Sequence, residues 1–262
     1  MSRLSKWKLV FKVLPYLLVI VILKFTVHYL GWEFLGLGSL FAALVSANIF
    51  LMGFLISAVM TDYKEAEKIP GELACSIESI TDECFILYQG KKSPEAKACL
   101  EFILNFLDSI NKWLYKKERT KELLAEVAGF NDYFLKFEPQ TQANFIVRIK
   151  QEQNVIRKLI HRIHTVRETS FVSTGYAIVE IITAILVTGL IFIKIDPINN
   201  SLHESIFFVF FVSFILIYMI YFLKDLDNPF GYYKTDNLVE EVSLKPLVDV
   251  KQRISDKFNQ LS

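Results

Sequence analysis

Residues 34–60 have the sequence FLGLGSLFAALVSANIFLMGFLISAVM, and the charged stretch DYKEAEK follows directly at residues 62–68. An α-helix rises about 1.5 Å per residue, so roughly 20 apolar residues cross the hydrocarbon core of a bilayer. The uncharged stretch is longer than that. The sequence therefore predicts a membrane-spanning protein.

Three further segments share this apolar character: residues 9–30, 171–193 and 206–223. The first contains Lys12 near its start and Lys24 near its end, and the second contains one carboxylate, Glu180. Because a lysine near the end of a span can extend its amine to the interface, we expect Lys24 to snorkel. Four transmembrane helices are predicted.

The charged residues, 22% of the chain, are concentrated between the second and third spans. Apolar residues in this segment recur at helical spacing in four successive stripes, which predicts a bundle of helices. Nothing in residues 141–193 interrupts the helical pattern, so the fourth stripe is expected to continue into span three as one helix. We divide the all-α chain into two spans (1–62), a helical domain (63–168), two spans (169–224) and a C-terminal tail (225–262).

Lysines and arginines precede spans one and three, whereas the two loops on the other side of the membrane carry few of them. By the positive-inside rule, both termini and the helical domain are predicted to be cytoplasmic. We expect a multi-pass protein of the plasma or inner membrane.

Several classes of function have no support in the sequence. A net charge of +1 gives no indication of nucleic-acid binding. The chain contains no P-loop, no nucleophile elbow and no zinc-protease motif. No enzymatic activity, no metal site and no cofactor are predicted.

A stripe of small or hydroxyl-bearing residues, with one aromatic ring, follows one face of span two. Its members are spaced four and three apart: Ser39, Ala43, Ser46, Phe50, Gly53 and Ser57. One interpretation is close packing of helices, since small residues let backbones approach each other in lipid. The other is a pore lining in which Phe50, joined by Phe54, forms a hydrophobic constriction. Periodicity does not separate the two, because both favour small residues.

Two polar residues within the spans are further candidates. Glu180 lies about nine residues into the predicted span three, which places it near the bilayer midplane, and Asn48 lies at a similar depth in span two. An ionisable group inside a membrane is costly and is a functional candidate for that reason. The alternative is a structural role, in which Glu180 is paired or protonated and holds two helices together. We expect Asn48 to be within hydrogen-bonding reach of Glu180.

Two sequence passages together resemble a known family. The first runs from GFL at residues 53–55 into DYKEAEKIPGEL at residues 62–73, and the second is DLDNPFG at residues 225–231, directly after span four. The second passage contains Asp225, Asp227, Asn228, Pro229 and Phe230. With two spans, a helical insert and two more spans, the chain resembles the bestrophin-like membrane proteins of prokaryotes and plants.

The resemblance implies a pentamer around a central pathway for anions, lined by span two. In bestrophins an acidic run after the Asn-Pro-Phe-Gly segment helps to bind calcium. Here that run is replaced by Tyr-Tyr-Lys-Thr at residues 232–235, so calcium is not carried over, although Asp225, Asp227 and Asp236 lie nearby. The motif could instead cap the last span and place Phe230 in a neighbouring subunit.

The sequence therefore predicts a homo-oligomeric channel for small inorganic anions such as chloride, embedded in the lipid bilayer. A competing hypothesis is a non-conducting scaffold or sensor whose cytoplasmic bundle binds a partner. A third makes Glu180 a proton- or cation-coupled site.

Overall fold

The described part of the chain is almost entirely helical. A computed structural model describes residues 7–169, 173–194, 202–233 and 241–260. Within them are eight α-helices: α1 (Lys8–Tyr29), α2 (Ser39–Lys91), α3 (Pro94–Leu114), α4 (Thr120–Phe137), α5 (Ala143–Glu168), α6 (Ser173–Phe192), α7 (Leu202–Leu226) and α8 (Lys245–Asn259). The predicted all-α class is confirmed.

Four of these helices, α1, α2, α6 and α7, are long and apolar enough to cross a membrane. They belong to one compact unit, to which α2 contributes as far as Tyr63. Met52 and Leu55 of α2 share an apolar cluster with Leu186 of α6 and Leu216 of α7. Ile20 of α1 belongs to a second cluster with residues of α6 and α7. The prediction of four spans is confirmed.

A small strand pair lies at one end of this unit. Strand β1 (Leu35–Gly36) pairs in parallel with β2 (Ile193–Lys194), and Leu35 lies opposite Ile193. The apolar stretch that starts at residue 34 is therefore not helical until Ser39. Gly36 and Gly38 explain the difference, because glycine costs about 1 kcal/mol relative to alanine inside a helix.

The second compact unit contains the rest of α2 with α3, α4, α5 and α8. Its core is built from large apolar side chains with no exposed surface, among them Phe106, Phe130 and Trp113. The rings of Phe106 and Phe130 meet edge to face with their centroids 5.4 Å apart. The predicted helical bundle between spans two and three is confirmed.

Basic residues of α8 pair with acidic residues of α2 and α3. The guanidinium of Arg253 donates to both oxygens of Glu78, at 2.8 and 2.9 Å. Lys257 donates to Asp82 at 3.0 Å, and Lys251 pairs with Asp108. These ion pairs add to the burial of Leu247, Val250 and Ile254, the apolar residues by which α8 packs in this unit.

The prediction of one continuous helix through residues 141–193 is wrong. Helix α5 ends at Glu168, Thr169 has an extended backbone, and α6 begins at Ser173. The Thr169 hydroxyl donates to the Thr165 carbonyl at 2.6 Å. Threonine is stiff at χ1, and hydroxyl side chains compete for backbone hydrogen bonds, so such residues favour helix ends.

Candidate functional site

The stripe on α2 is exposed along its whole length. Every member is solvent-accessible in the chain: Ser39, Ala43, Ser46, Phe50, Gly53 and Ser57. The Phe50 side chain is 79% exposed, and that of Phe54, one turn further on, is 66% exposed. On the opposite side of the same helix, Met52 and Val59 are buried against α6 and α7. One face of the span thus anchors the helix, and the other has no covering element among the described residues.

The exposed stripe is smooth and carries no charge. The Ser46 hydroxyl donates to the Ala42 carbonyl at 2.9 Å, and the Thr61 hydroxyl donates to the Ser57 carbonyl at 3.1 Å. A Cβ atom added at Gly53 would meet nothing within 4 Å. The two phenylalanine rings lie four residues apart on adjacent turns, and the side chains of Leu40 and Leu44 are also exposed on this helix.

Asn48 is turned away from the stripe and is buried between helices. It is 2% exposed, and its Nδ2 donates to Oγ1 of Thr183 at 2.9 Å. The partner of Asn48 is therefore Thr183 rather than Glu180. The bond joins α2 to α6 inside the apolar unit.

Glu180 is in an ion pair with Lys224 of α7, with Oε1 and Nζ 2.6 Å apart. Both side chains are about half exposed, at 44% and 49%. Glu180 lies seven residues after the start of α6 at Ser173, which is about 10 Å along the helix axis. Lys224 is two residues from the end of α7. The carboxylate thus pairs with a lysine near the end of α7, and it is not part of the α2 stripe.

The first residues after α7 continue its last turn, and the next ones bond to the backbone of Val242. The backbone N–H of Asp227 donates to the Leu223 carbonyl at 3.2 Å, which continues the last turn of α7 beyond Asp225. Asn228 and Pro229 follow, and the Pro229 carbonyl accepts a bond from the Val242 N–H at 3.0 Å.

Phe230 is completely buried within its own chain, with its ring centroid 6.5 Å from that of Tyr232. The Tyr232 hydroxyl donates to the Val242 carbonyl at 2.5 Å, which joins the residues after α7 to those before α8. The expectation that Phe230 enters a neighbouring subunit is therefore wrong. The aromatic residues that replace the acidic run help to pack this loop.

Two of the three acidic residues named in connection with calcium, Asp225 and Asp227, lie within the described part of the chain. Within the described ranges, no group of three or more His, Cys, Asp or Glu side chains is arranged to hold a metal ion. Calcium requires six to eight oxygen ligands, several of them carboxylates. Asp236 lies outside the described residues.

The structure also contains a buried charge cluster that the sequence analysis missed. Lys24 has no exposed surface, so the expectation that it snorkels is wrong. Its Nζ donates to Oε1 of Glu33 at 2.7 Å and to the carbonyl of Ile193 at 2.5 Å. His28 Nδ1 lies 3.1 Å from the same carboxylate oxygen. The signal was present in the sequence as a lysine inside an apolar span and an acidic residue in the loop that follows.

Electrostatics in this cluster favour the ionised carboxylate. Burial by itself raises the pKa of Glu33, but the hydrogen bonds and positive charges of Lys24 and His28 together hold that pKa below its ordinary value. The Lys24 side chain therefore connects α1, the loop after it and the start of β2.

Comparisons with known proteins give a result at the level of structure. No protein-family model matches the chain, and no curated protein matches it in sequence. A crystal structure of a bacterial bestrophin homolog from Klebsiella pneumoniae, carrying a single substitution, superposes with a TM-score of 0.79 at 14% identity. The match covers 95% of this chain and 99% of that one. The chain has a bestrophin-like fold.

A second structure of the Klebsiella pneumoniae bestrophin homolog superposes with a TM-score of 0.75 at 14% identity. It covers 94% of this chain and 98% of the homolog. Because the match extends over nearly the full length of both chains, the bestrophin-like fold includes the spans and the helical insert together. The resemblance inferred from the sequence passages is confirmed for the fold.

Proposed function

We propose that this bestrophin-like protein is a subunit of an anion channel, with the exposed stripe of α2 lining the pore and Phe50 and Phe54 forming its neck. The proposal rests on one observation: every member of this stripe is exposed, on a helix whose opposite face is buried. A face of this kind in a membrane meets lipid, a neighbouring subunit or a water-filled pathway.

The composition of the stripe argues against lipid. The exposed face of α1 is made of large apolar side chains, as expected of a surface that contacts acyl chains: Phe11, Leu14, Leu18, Ile22 and Phe25. The α2 stripe instead contains three serines, an alanine and a glycine. Hydroxyl groups gain no free energy from contact with hydrocarbon, but they are compatible with a tight helix interface or with water.

Phe50 and Phe54 favour the pore over the tight interface. Two large rings projecting from a small-residue face would hold a neighbouring helix away from the backbone. In a ring of subunits, the same side chains narrow a central pathway, and apolar constrictions of this kind gate by dewetting. Several copies are needed to close such a pathway, and the resemblance to bestrophins supports a pentamer.

Two features support anions as the permeating ions. No acidic side chain belongs to the stripe, and Glu180 is paired with Lys224 away from it. Aromatic rings carry a positive edge, which presents a favourable electrostatic potential to a passing anion. We propose that the channel conducts chloride, which is therefore the anion used in the test below.

The orientation is proposed from charge. Lys8 opens α1, and a dense group of basic residues fills the last turns of α5 before α6: Arg157, Lys158, Arg162 and Arg167. By the positive-inside rule these ends face the cytoplasm. Both termini and the helical insert are then cytoplasmic, in a plasma or inner membrane.

The test is the reversal potential of the purified protein in a planar bilayer under asymmetric potassium chloride. A shift toward the chloride equilibrium potential is the expected result, and a shift toward that of potassium would contradict anion conduction. Protein that is silent across voltage, pH and calcium would favour the scaffold hypothesis.

The neck is tested by truncating its rings. Phe50→Ala and Phe54→Ala should raise the single-channel conductance, because each widens the apolar constriction. Phe25→Ala on α1 is the matched control, since its side chain is also exposed, at 53%. Conductance that changes equally in all three variants would show that the α2 rings do not form the neck.

A further inference from the structure

A groove with a volume of about 510 Å³ lies between α1, α6 and α7, on a different face of the unit from the α2 stripe. Its walls are mainly apolar and come from all three helices: Pro15, Val19, Ile20, Ala184, Val187 and Ile217. The small side chain of Ala184 leaves room in the middle of the α6 wall.

One end of the groove is polar and aromatic. Tyr16 and Tyr221 line it, with ring centroids 5.8 Å apart. The ion pair of Glu180 and Lys224 lies in the same part of the wall, so the two charges neutralise each other there. Lys12 holds its amine 5.4 Å from the centroid of the Tyr221 ring.

Two lysines of α1, Lys8 and Lys12, precede this end of the groove in the sequence. Lys8 and Lys12 lie one helical turn apart on α1, on the face that continues into Tyr16 and Val19. Neither lysine is in an ion pair with a described residue. Lys12 is thus a cation beside an apolar groove, with an aromatic ring as its neighbour and no carboxylate partner within the described ranges.

We infer that the groove binds an anionic phospholipid, with one acyl chain along its apolar walls and the phosphate at Lys8 and Lys12. The order along α1 is cationic, then aromatic, then aliphatic. A phospholipid presents the same order from its phosphate through the interface to its chain. Basic pockets between transmembrane helices are a recurring way to hold acidic headgroups.

The length of the groove agrees with this occupant. On α7 its lining residues run from Ile217 to Lys224, which is a rise of about 10 Å at 1.5 Å per residue. One leaflet of the hydrocarbon core is about 15 Å thick, so the groove accommodates most of an acyl chain. A second copy of the chain would cover the apolar walls of the groove, but it would leave Lys8 and Lys12 without an anionic partner. The lipid belongs to the leaflet in which α1 begins.

The first experiment is native mass spectrometry of the full-length protein released from nanodiscs with equal phosphatidylglycerol and phosphatidylcholine. The wild type should retain phosphatidylglycerol in several-fold excess. Lys12→Gln should lower that excess about fivefold, since one lysine near an anionic surface contributes ~1 kcal/mol. Lys121→Gln, an exposed lysine on α4, is the matched control and should leave the excess unchanged. Equal retention of both lipids by the wild type would overturn the inference.

The second experiment blocks the groove. Ala184→Phe should abolish retention of the bound lipid, whereas Ile185→Phe, exposed on the same helix but outside the groove, should retain it. Equal retention by the two variants would overturn the site.

A third measurement does not depend on the folding of Ala184→Phe. A photoreactive benzoylphenylalanine at Val19 should form an adduct with the mass of a phospholipid. A covalent subunit dimer without a lipid adduct would show that a second copy covers the groove, and would overturn the inference. None of these measurements requires ion conduction, so their failure is distinguishable from failure of the proposed channel.

Discussion

Replacing Lys24 by methionine should be among the most destabilising single substitutions in the membrane unit. The side chain is fully buried, and its Nζ is shared between the Glu33 carboxylate at 2.7 Å and the carbonyls of Ile193 and Ile191 at 2.5 and 3.4 Å. Methionine matches the length of lysine but donates no hydrogen bond. The substitution leaves a carboxylate that is only 5% exposed with His28 as its remaining described partner.

The magnitude follows from the cost of an unpaired buried charge. Breaking a buried ion pair from one side costs about 3–5 kcal/mol. The two carbonyls that lose a donor add to the cost, but His28 compensates in part. At ~2–4 °C per kcal/mol for a chain of this length, the apparent Tm should fall by roughly 10 °C.

The assay is thermal unfolding of the purified protein in one detergent, with two matched variants. Lys121→Met removes an exposed lysine of α4 that is in no ion pair with a described residue, and it should change the Tm by only a degree or two. The double variant Lys24→Met/Glu33→Gln removes both charges and should recover much of the loss. If Lys24→Met and Lys121→Met lower the Tm equally, or if the double variant is no better than Lys24→Met alone, the charge cluster does not stabilise the fold as argued.

Gly189→Ala should lower the stability by at most ~1–2 kcal/mol, because the added Cβ would lie 3.1 Å from Cε2 of the partly buried Phe41, whereas alanine gains about 1 kcal/mol over glycine inside a helix. Gly53→Ala should leave the Tm unchanged or raised and lower the conductance, since its Cβ would have no atom of a described residue within 4 Å and would project from the α2 stripe; a large fall in Tm would contradict this. The hydrogen bonds of Arg253 hold the pKa of Glu78 below its ordinary value, so the attachment of α8 that they supply is present at neutral pH and is lost as the pH falls through that lowered pKa. Hydrogen exchange in α8, corrected for the intrinsic effect of pH, should therefore rise below about pH 4. Glu78→Gln should raise it about two- to fivefold already at pH 7, and unchanged protection in that variant would refute the role of the pair.

Much of the fold could be predicted because hydropathy and helical period are properties of consecutive residues. The uncharged stretch at residues 34–60 indicated a span, and apolar spacing between residues 100 and 114 indicated what is now α3. The face of α2 that carries Phe50 was also visible as a pattern. The pattern did not reveal that this face is exposed while that of Met52 is buried, because exposure depends on where the other helices pack.

The sequence by itself determined that this protein has four apolar spans and a helical insert, because a run of apolar side chains is costly to expose to water wherever it occurs. Only the tertiary structure decided the partners of the polar residues. Lys24 could snorkel or be buried, and α1 and β2 enclose it with Glu33. Glu180 could be a lone carboxylate, and α7 brings Lys224 to it. Such pairings join residues far apart in sequence, and their energy depends on distances that no local pattern contains.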